Sequence, residues 1–136
     1  MKRKIFVALL FTASVFTSCN SQDPPQPKSG MSFDDYLSHT KNAGKLVLVD
    51  FSAVWCGPCK TLKPLVAKAI KKYSDKVELF EVDVDKNPVV SNTMNIKGIP
   101  LLILYNNGKE VWRSMGLIEE GVILDKFKEF TSGGQR

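Results

Sequence analysis

The apolar positions fall into short runs whose period changes along the chain. Leu46-Val47-Leu48-Val49-Asp50-Phe51 is continuous except for Asp50, the pattern of a central strand covered on both faces. From about Gly57 to Tyr73 the period becomes helical, with Leu62, Leu65, Val66, Ala69 and Ile70 on one face. Pro64 lies inside that helix, lacks an N–H, and should bend it. Val77 to Val84 alternates as a second strand, and Asn87-Pro88 predicts a cap and first-turn proline for a short helix ending near Met94. Leu101 to Tyr105 forms a third strand, and Asn106-Asn107-Gly108 a hairpin turn into Glu110 to Met115. Ile118 to Phe130 closes the pattern as an amphipathic helix through Ile118, Val122, Ile123, Phe127 and Phe130. Ahead of the first strand, Phe33, Tyr36 and Leu37 follow Ser32, which can cap, at helical spacing, so a helix is predicted near Ser32 to Lys41, ended by Asn42-Ala43-Gly44.

Strands that alternate with helices and finish in a hairpin predict an α/β sandwich with a mixed central sheet. About a hundred residues carry this pattern, enough for one core and too few for two. The domain is expected over 32–132, with a short flexible tail at 133–136.

The N-terminal residues follow a different rule. Lys2, Arg3 and Lys4 precede a stretch from Ile5 to Phe16 that is apolar apart from Thr12 and Ser14, the pattern of an export signal over 1–18. About a dozen apolar residues fall short of the roughly 20 that a bilayer span needs, so the segment is expected to be removed. Phe16-Thr17-Ser18-Cys19 resembles a lipoprotein signal, which implies cleavage before Cys19 and lipid attachment to it. The expected protein is thus exported and held on the periplasmic side of a membrane through Cys19; a soluble periplasmic or secreted form is the alternative. Residues 19–31 include Asp23-Pro24-Pro25-Gln26-Pro27 and almost nothing apolar, the composition of a tether. Eleven residues in extended form reach about 34 Å at roughly 3.1 Å each.

Charge changes meaning once the leader is set aside. The whole chain carries +5, but without Lys2, Arg3 and Lys4 the balance is about +2. No basic tail for nucleic acid remains, and Lys68, Lys71, Lys72 and Lys76 read as a solvated helix end.

The chemistry is concentrated in Trp55-Cys56-Gly57-Pro58-Cys59, set between a strand and a helix start. The unpaired N–H groups and positive dipole end of a helix favour a thiolate over a thiol, and the thiolate is the nucleophile. Cys59, one turn further, shares a face with Cys56 and is placed to resolve a mixed disulfide formed there. A structural zinc site needs four ligands, and only His39 and Cys19 stand beside this pair. A bridge enclosing two residues is a poor staple, because stabilisation grows with loop length. His39 is distant in sequence and expected at the surface, which disfavours a Cys-His hydrolase. The chain has no phosphate loop and no dinucleotide glycine pattern, so electrons must come from another protein.

The stretch Val49 to Lys60 resembles the active-site segment of the thioredoxin family, and Gly98-Ile99-Pro100 resembles its cis-proline loop. Pro64 and Gly116 fall where the family carries a helix proline and a late glycine, and the resemblance runs from near Ser32 to near Thr131. It implies the thioredoxin fold, with Cys56 as attacking thiol, Cys59 as buried resolving thiol, and Asp50 as a buried acid that exchanges a proton with Cys59. It implies that Gly57, Pro58 and Lys60 tune the couple, the Gly-Pro pair being similar to that of reducing members. Trp55, Ile99, Pro100 and Gly116 are implied to face substrate, with Pro100 cis and the Ile99 backbone open to a substrate strand, whereas Trp112 is expected to pack. Two positions depart from many bacterial members: Glu81 stands where they have Lys, and Ser52 where they have a second Trp. If Glu81 approaches Asp50, repulsion should raise a carboxyl pKa.

The activity implied is protein-disulfide reduction or reshuffling by dithiol–disulfide exchange, without metal or dissociable cofactor. Implied partners are disulfide-containing or thiol proteins and a membrane thiol electron donor, and a monomer is expected. A disulfide-forming oxidant and a non-catalytic binding module of the same fold are the alternatives that the sequence leaves open.

Overall fold

The computed structural model describes residues 30–132 apart from residue 43. The expected leader, Cys19, most of the tether and residues 133–136 lie outside the described residues. The elements run α1 (Phe33–His39), β1 (Leu46–Ser52), α2 (Gly57–Lys72), β2 (Val77–Asp83), α3 (Pro88–Thr93), β3 (Leu101–Asn106), β4 (Lys109–Met115) and α4 (Glu120–Ser132). The strands form one mixed sheet in the order β2-β1-β3-β4, with β1 parallel to β2 and antiparallel to β3, and β3 antiparallel to β4.

The continuous apolar run of β1 exists because helices cover both of its faces. Leu46 and Leu48 join Leu62, Val66 and Ala69 of α2, Leu102 and Leu104 of β3, and Ile123 and Phe127 of α4. On the other face Val47, Val49 and Phe51 pack with Tyr36 of α1, Val90 of α3, and Leu101, Ile103 and Tyr105 of β3. Asp50 has the parity of Leu46 and Leu48, so the alternation of the strand turns its carboxyl toward the α2 side. On the α1 side the hydroxyls of Tyr36 and Tyr105 satisfy one another at 2.7 Å, and burial pushes the pKa of both phenols up.

Several boundaries differ from the sequence expectation for identifiable reasons. Ser32 caps α1 as expected, its Oγ accepting the Asp35 N–H at 3.1 Å, but the helix ends at His39 with Thr40 as its C-cap, short of Lys41. Asn87 occupies the cap position of α3 without capping it. Its Oδ1 instead accepts the Met31 N–H at 2.8 Å, and its Nδ2 donates to the Asp83 carbonyl at 2.9 Å. α2 continues through Pro64 to Lys72, with Tyr73 as its C-cap. α4 starts at Glu120, so Ile118 packs from the preceding loop, and Val122, expected in the core, is 43% exposed. The turn at Asn107-Gly108 has positive φ at both residues, 48° and 81°, as the tightest hairpins require, and the Gly108 N–H is tied to the Thr40 carbonyl at 2.9 Å.

Candidate active site

Cys56 is the N-cap of α2. Its Sγ accepts the N–H of Cys59 at 3.2 Å, so the first turn of the helix is directed at this sulfur. The two cysteines form a disulfide with an S–S distance of 2.01 Å. Both are largely buried, at 3% and 6% exposure, against Ala53, Val84 and Ile99, whereas Gly57 and Pro58 between them are exposed. Position 57 has neither a positive φ nor a neighbour within 4 Å of an added Cβ, so sterics do not demand glycine there.

The rim of the site is built by three loops. The Ile99–Pro100 peptide is cis and leads into β3, with Pro100 buried and Ile99 against the disulfide. Gly116 donates its N–H to the Pro100 carbonyl at 2.8 Å, and its φ of +93° is the reason for a glycine there, since a Cβ would meet nothing. Trp55 is 66% exposed, with its Nε1–H donating to Asp85 Oδ2 at 2.7 Å. Val54, Met115 and Leu117 are exposed apolar residues as well. Trp112 packs, half-buried, against the α2-side core and is not part of this rim. His39 is exposed and stacks on Phe80 with ring centroids 4.5 Å apart.

Beside Cys59 lies a cavity of about 370 Å³ whose lining includes Asp50, Cys59, Lys60, Lys63, Glu81 and Lys86. Asp50 is 4% exposed, and its Oδ1 has no hydrogen-bond partner among the described residues. Its neighbours across the sheet are Glu81 on β2 and Leu102 on β3. Paired positions on parallel strands project to the same face, so Glu81 does approach Asp50. Burial, reinforced by the Glu81 carboxylate and opposed by the Lys63 ammonium, pushes the Asp50 pKa up to about 6. Lys63 is the residue that the sequence reading missed. Its Nζ lies 2.7 Å from Glu81 Oε1, and the bond to that carboxylate raises the lysine pKa. The available signal was its position four residues after Cys59, on the same face of α2.

This arrangement joins a helix-capping sulfur, a second sulfur within bonding distance, a buried carboxyl near neutrality and an apolar rim. The thioredoxin family model matches residues 26–129. The chain belongs to the thioredoxin family. It is similar to thioredoxin-2 of Saccharomyces cerevisiae, 41% identical over 91 residues that make up 67% of this chain and 84% of the yeast protein. It is 38% identical to the thioredoxin of Rickettsia prowazekii over 79 residues, 58% of this chain and 75% of that protein. Among solved structures, a single-site mutant of a thioredoxin from Halobacterium salinarum superposes with a TM-score of 0.65 at 29% identity, covering 76% of this chain and 87% of the other. The expected thioredoxin fold is therefore the observed one, and Cys56–Cys59 is the active site of a protein-disulfide reductase.

Proposed function

We propose that the protein reduces or reshuffles disulfides in partner proteins outside the cytoplasm, with Cys56 as attacking thiol, Cys59 as resolving thiol and Asp50 as the base for Cys59. The observation that carries the assignment of roles is the helix start: Cys56 caps α2, whereas Cys59 lies inside the first turn facing the cavity of Asp50. In the reduced protein the helix N-terminus stabilises the Cys56 thiolate, which attacks a partner disulfide and expels one partner sulfur as a thiolate. Cys59 then gives its proton to the Asp50 carboxylate and attacks Cys56 Sγ. The bond between Cys56 and the partner breaks, its electron pair leaves on the partner sulfur, and that sulfur takes a proton from water. The partner gains two electrons and the protein is left with its Cys56–Cys59 disulfide. Ile99 lies just outside the β3 ladder beside the sulfurs, where an extended partner strand has room to align. Trp55, Pro100 and Gly116 shape that surface; Gly57, Pro58 and Lys60 border the couple.

The export reading rests on Lys2 to Ser18 and on Cys19 as a lipid-bearing N-terminus. The place where the tether joins the domain supports a membrane-associated role. Met31 donates its N–H to Asn87, two residues beyond the Asp85 that holds Trp55, so a tether over 19–31 would enter the domain on the side of Trp55. A membrane dithiol protein is the proposed electron donor, because each turnover leaves the pair oxidised and the chain has no nucleotide-binding motif to draw on. A Cys59→Ser protein should accumulate mixed disulfides at Cys56 with cellular proteins, visible on non-reducing gels and lost with added dithiothreitol. Absence of adducts, while a parallel dithiol enzyme treated alike forms them, would exclude partner proteins as substrates.

A further inference from the structure

The catalytic reading leaves one feature of the cavity unused, the ion pair on its solvent side. Lys63 Nζ and Glu81 Oε1 are 2.7 Å apart and join α2 to β2, with both side chains reaching solvent. Behind them Asp50 is buried with one carboxylate oxygen unpartnered among the described residues. On that side of the sheet β3 and α4 contribute the apolar Leu102, Ile123 and Phe127. The titratable groups sharing the cavity of Asp50 are Cys59, Lys60 and Lys63 from α2, Glu81 and Asp83 from β2, and Lys86 from the turn that follows. Asp83 is engaged elsewhere: its Oδ1 accepts the N–H groups of Asp85 and Lys86 at 3.0 and 3.2 Å, and its Oδ2 lies 3.7 Å from Lys86 Nζ. Glu81 stands directly beside Asp50 in the strand register, and Lys63 is the cation bonded to it.

We propose that Lys63 is a positioning residue for the resolving step: held by Glu81 at the edge of the cavity, it offsets the Glu81 charge and so sets the pH at which Asp50 can take the Cys59 proton. The proposal rests on Asp50 acting as the base for Cys59. Its physical content is that two carboxylates on adjacent strands cannot both be ionised cheaply. A cation bonded to one of them restores ionisation of the other near neutrality. The two partners therefore act with opposite sign. Without Lys63, Asp50 keeps its proton to higher pH and is unavailable as a base. Without Glu81, Lys63 alone faces Asp50, which ionises at lower pH. Removal of both charges largely cancels.

The test is single-turnover reduction of an aromatic disulfide by the fully reduced protein, followed by release of its coloured thiol. The first release reports attack by Cys56, and the second reports resolution by Cys59. Lys63→Met is expected to move the pH midpoint of the second phase up by about one unit, and Glu81→Gln to move it down by a similar amount. The double variant should fall between them, and the first phase should stay within about twofold throughout. Asp50→Asn separates the two levels of the argument. If it leaves the second phase with its original pH midpoint, Asp50 is not the base and the proposal falls with that assignment. If Asp50→Asn abolishes the midpoint but the Lys63 and Glu81 variants follow the parent profile, or shift both phases alike, only the ion-pair proposal is overturned.

Discussion

At the scale of single residues, Asp50 shows how the site is maintained against stability. Its pKa in the folded protein, about 6, lies above the ordinary 3.8, so the folded state binds the proton more tightly than the unfolded chain. The stabilisation is fully present below pH 3.8, declines as the pH rises, and is gone once it passes 6. At pH 7 the ionised, buried carboxyl costs up to about 3 kcal/mol, taking about 1.4 kcal/mol per unit. Asp50→Asn should remove this dependence. Urea denaturation at pH 4 and pH 8 is expected to show the parent losing up to about 3 kcal/mol more than the variant over that range. Equal losses in the two proteins would show that Asp50 ionises at its ordinary pH. Asp50 was legible in the sequence as a lone acid in an apolar strand. Lys63 was not, since one lysine among several on an amphipathic helix acquires meaning only when a neighbouring strand places Glu81 beneath it.

At the scale of elements, period and burial part company where a helix start is displaced. The spacing of Ile118, Val122, Ile123, Phe127 and Phe130 suggested one apolar face, yet α4 begins at Glu120 and its fully buried positions are Ile123 and Phe127. Phe127 fills the space between the sheet and α2, with its ring edge-on to Tyr73 at a centroid distance of 5.6 Å. Phe127→Ala should therefore cost about 3–5 kcal/mol, through lost transfer energy and the cavity left behind. Val122→Ala, at a position 43% exposed, should cost less than about 1 kcal/mol. Chemical denaturation of the two variants checks the contrast, and similar losses would mean that Val122 belongs to the core. The strands fared better in the sequence reading, because β1 and β3 are covered on both faces and leave unbroken apolar runs. The exposed side of β4 and the six-residue α3 carry weaker signals; Asn87 stands at the α3 cap position as its place before Pro88 indicates, but its side chain is used on Met31 and Asp83.

At the scale of the whole molecule, the point where the tether joins the domain bears on which partners can reach the redox pair. If Cys19 carries lipid as proposed, the eleven residues between it and Met31 would keep the redox end within about 34 Å of the anchor, which would favour substrates and donors at the membrane surface. Cells supplied with a labelled fatty acid are expected to incorporate it into the parent protein and not into Cys19→Ala, and only the parent should partition into detergent with the membrane fraction. An unlabelled parent found entirely in the soluble fraction would remove the anchor from the proposal and leave the exchange chemistry intact.

What the sequence determined by itself is whatever depends on local order. The apolar run of β1, the Cys-x-x-Cys pair at a helix start, the glycine turn of the hairpin and Pro100 before β3 are each set by residues adjacent in the chain, and together they specified the fold and the reacting sulfurs. The tertiary structure decided which charges meet. Asp50, Lys63 and Glu81 lie on three different elements, and only the parallel register of β1 with β2 and the packing of α2 across them bring the three to one cavity. The reason is the range of the forces involved. Hydrophobic period and backbone preference act through near neighbours in sequence, whereas electrostatic coupling follows distance in space, and that distance is not defined until the sheet is formed.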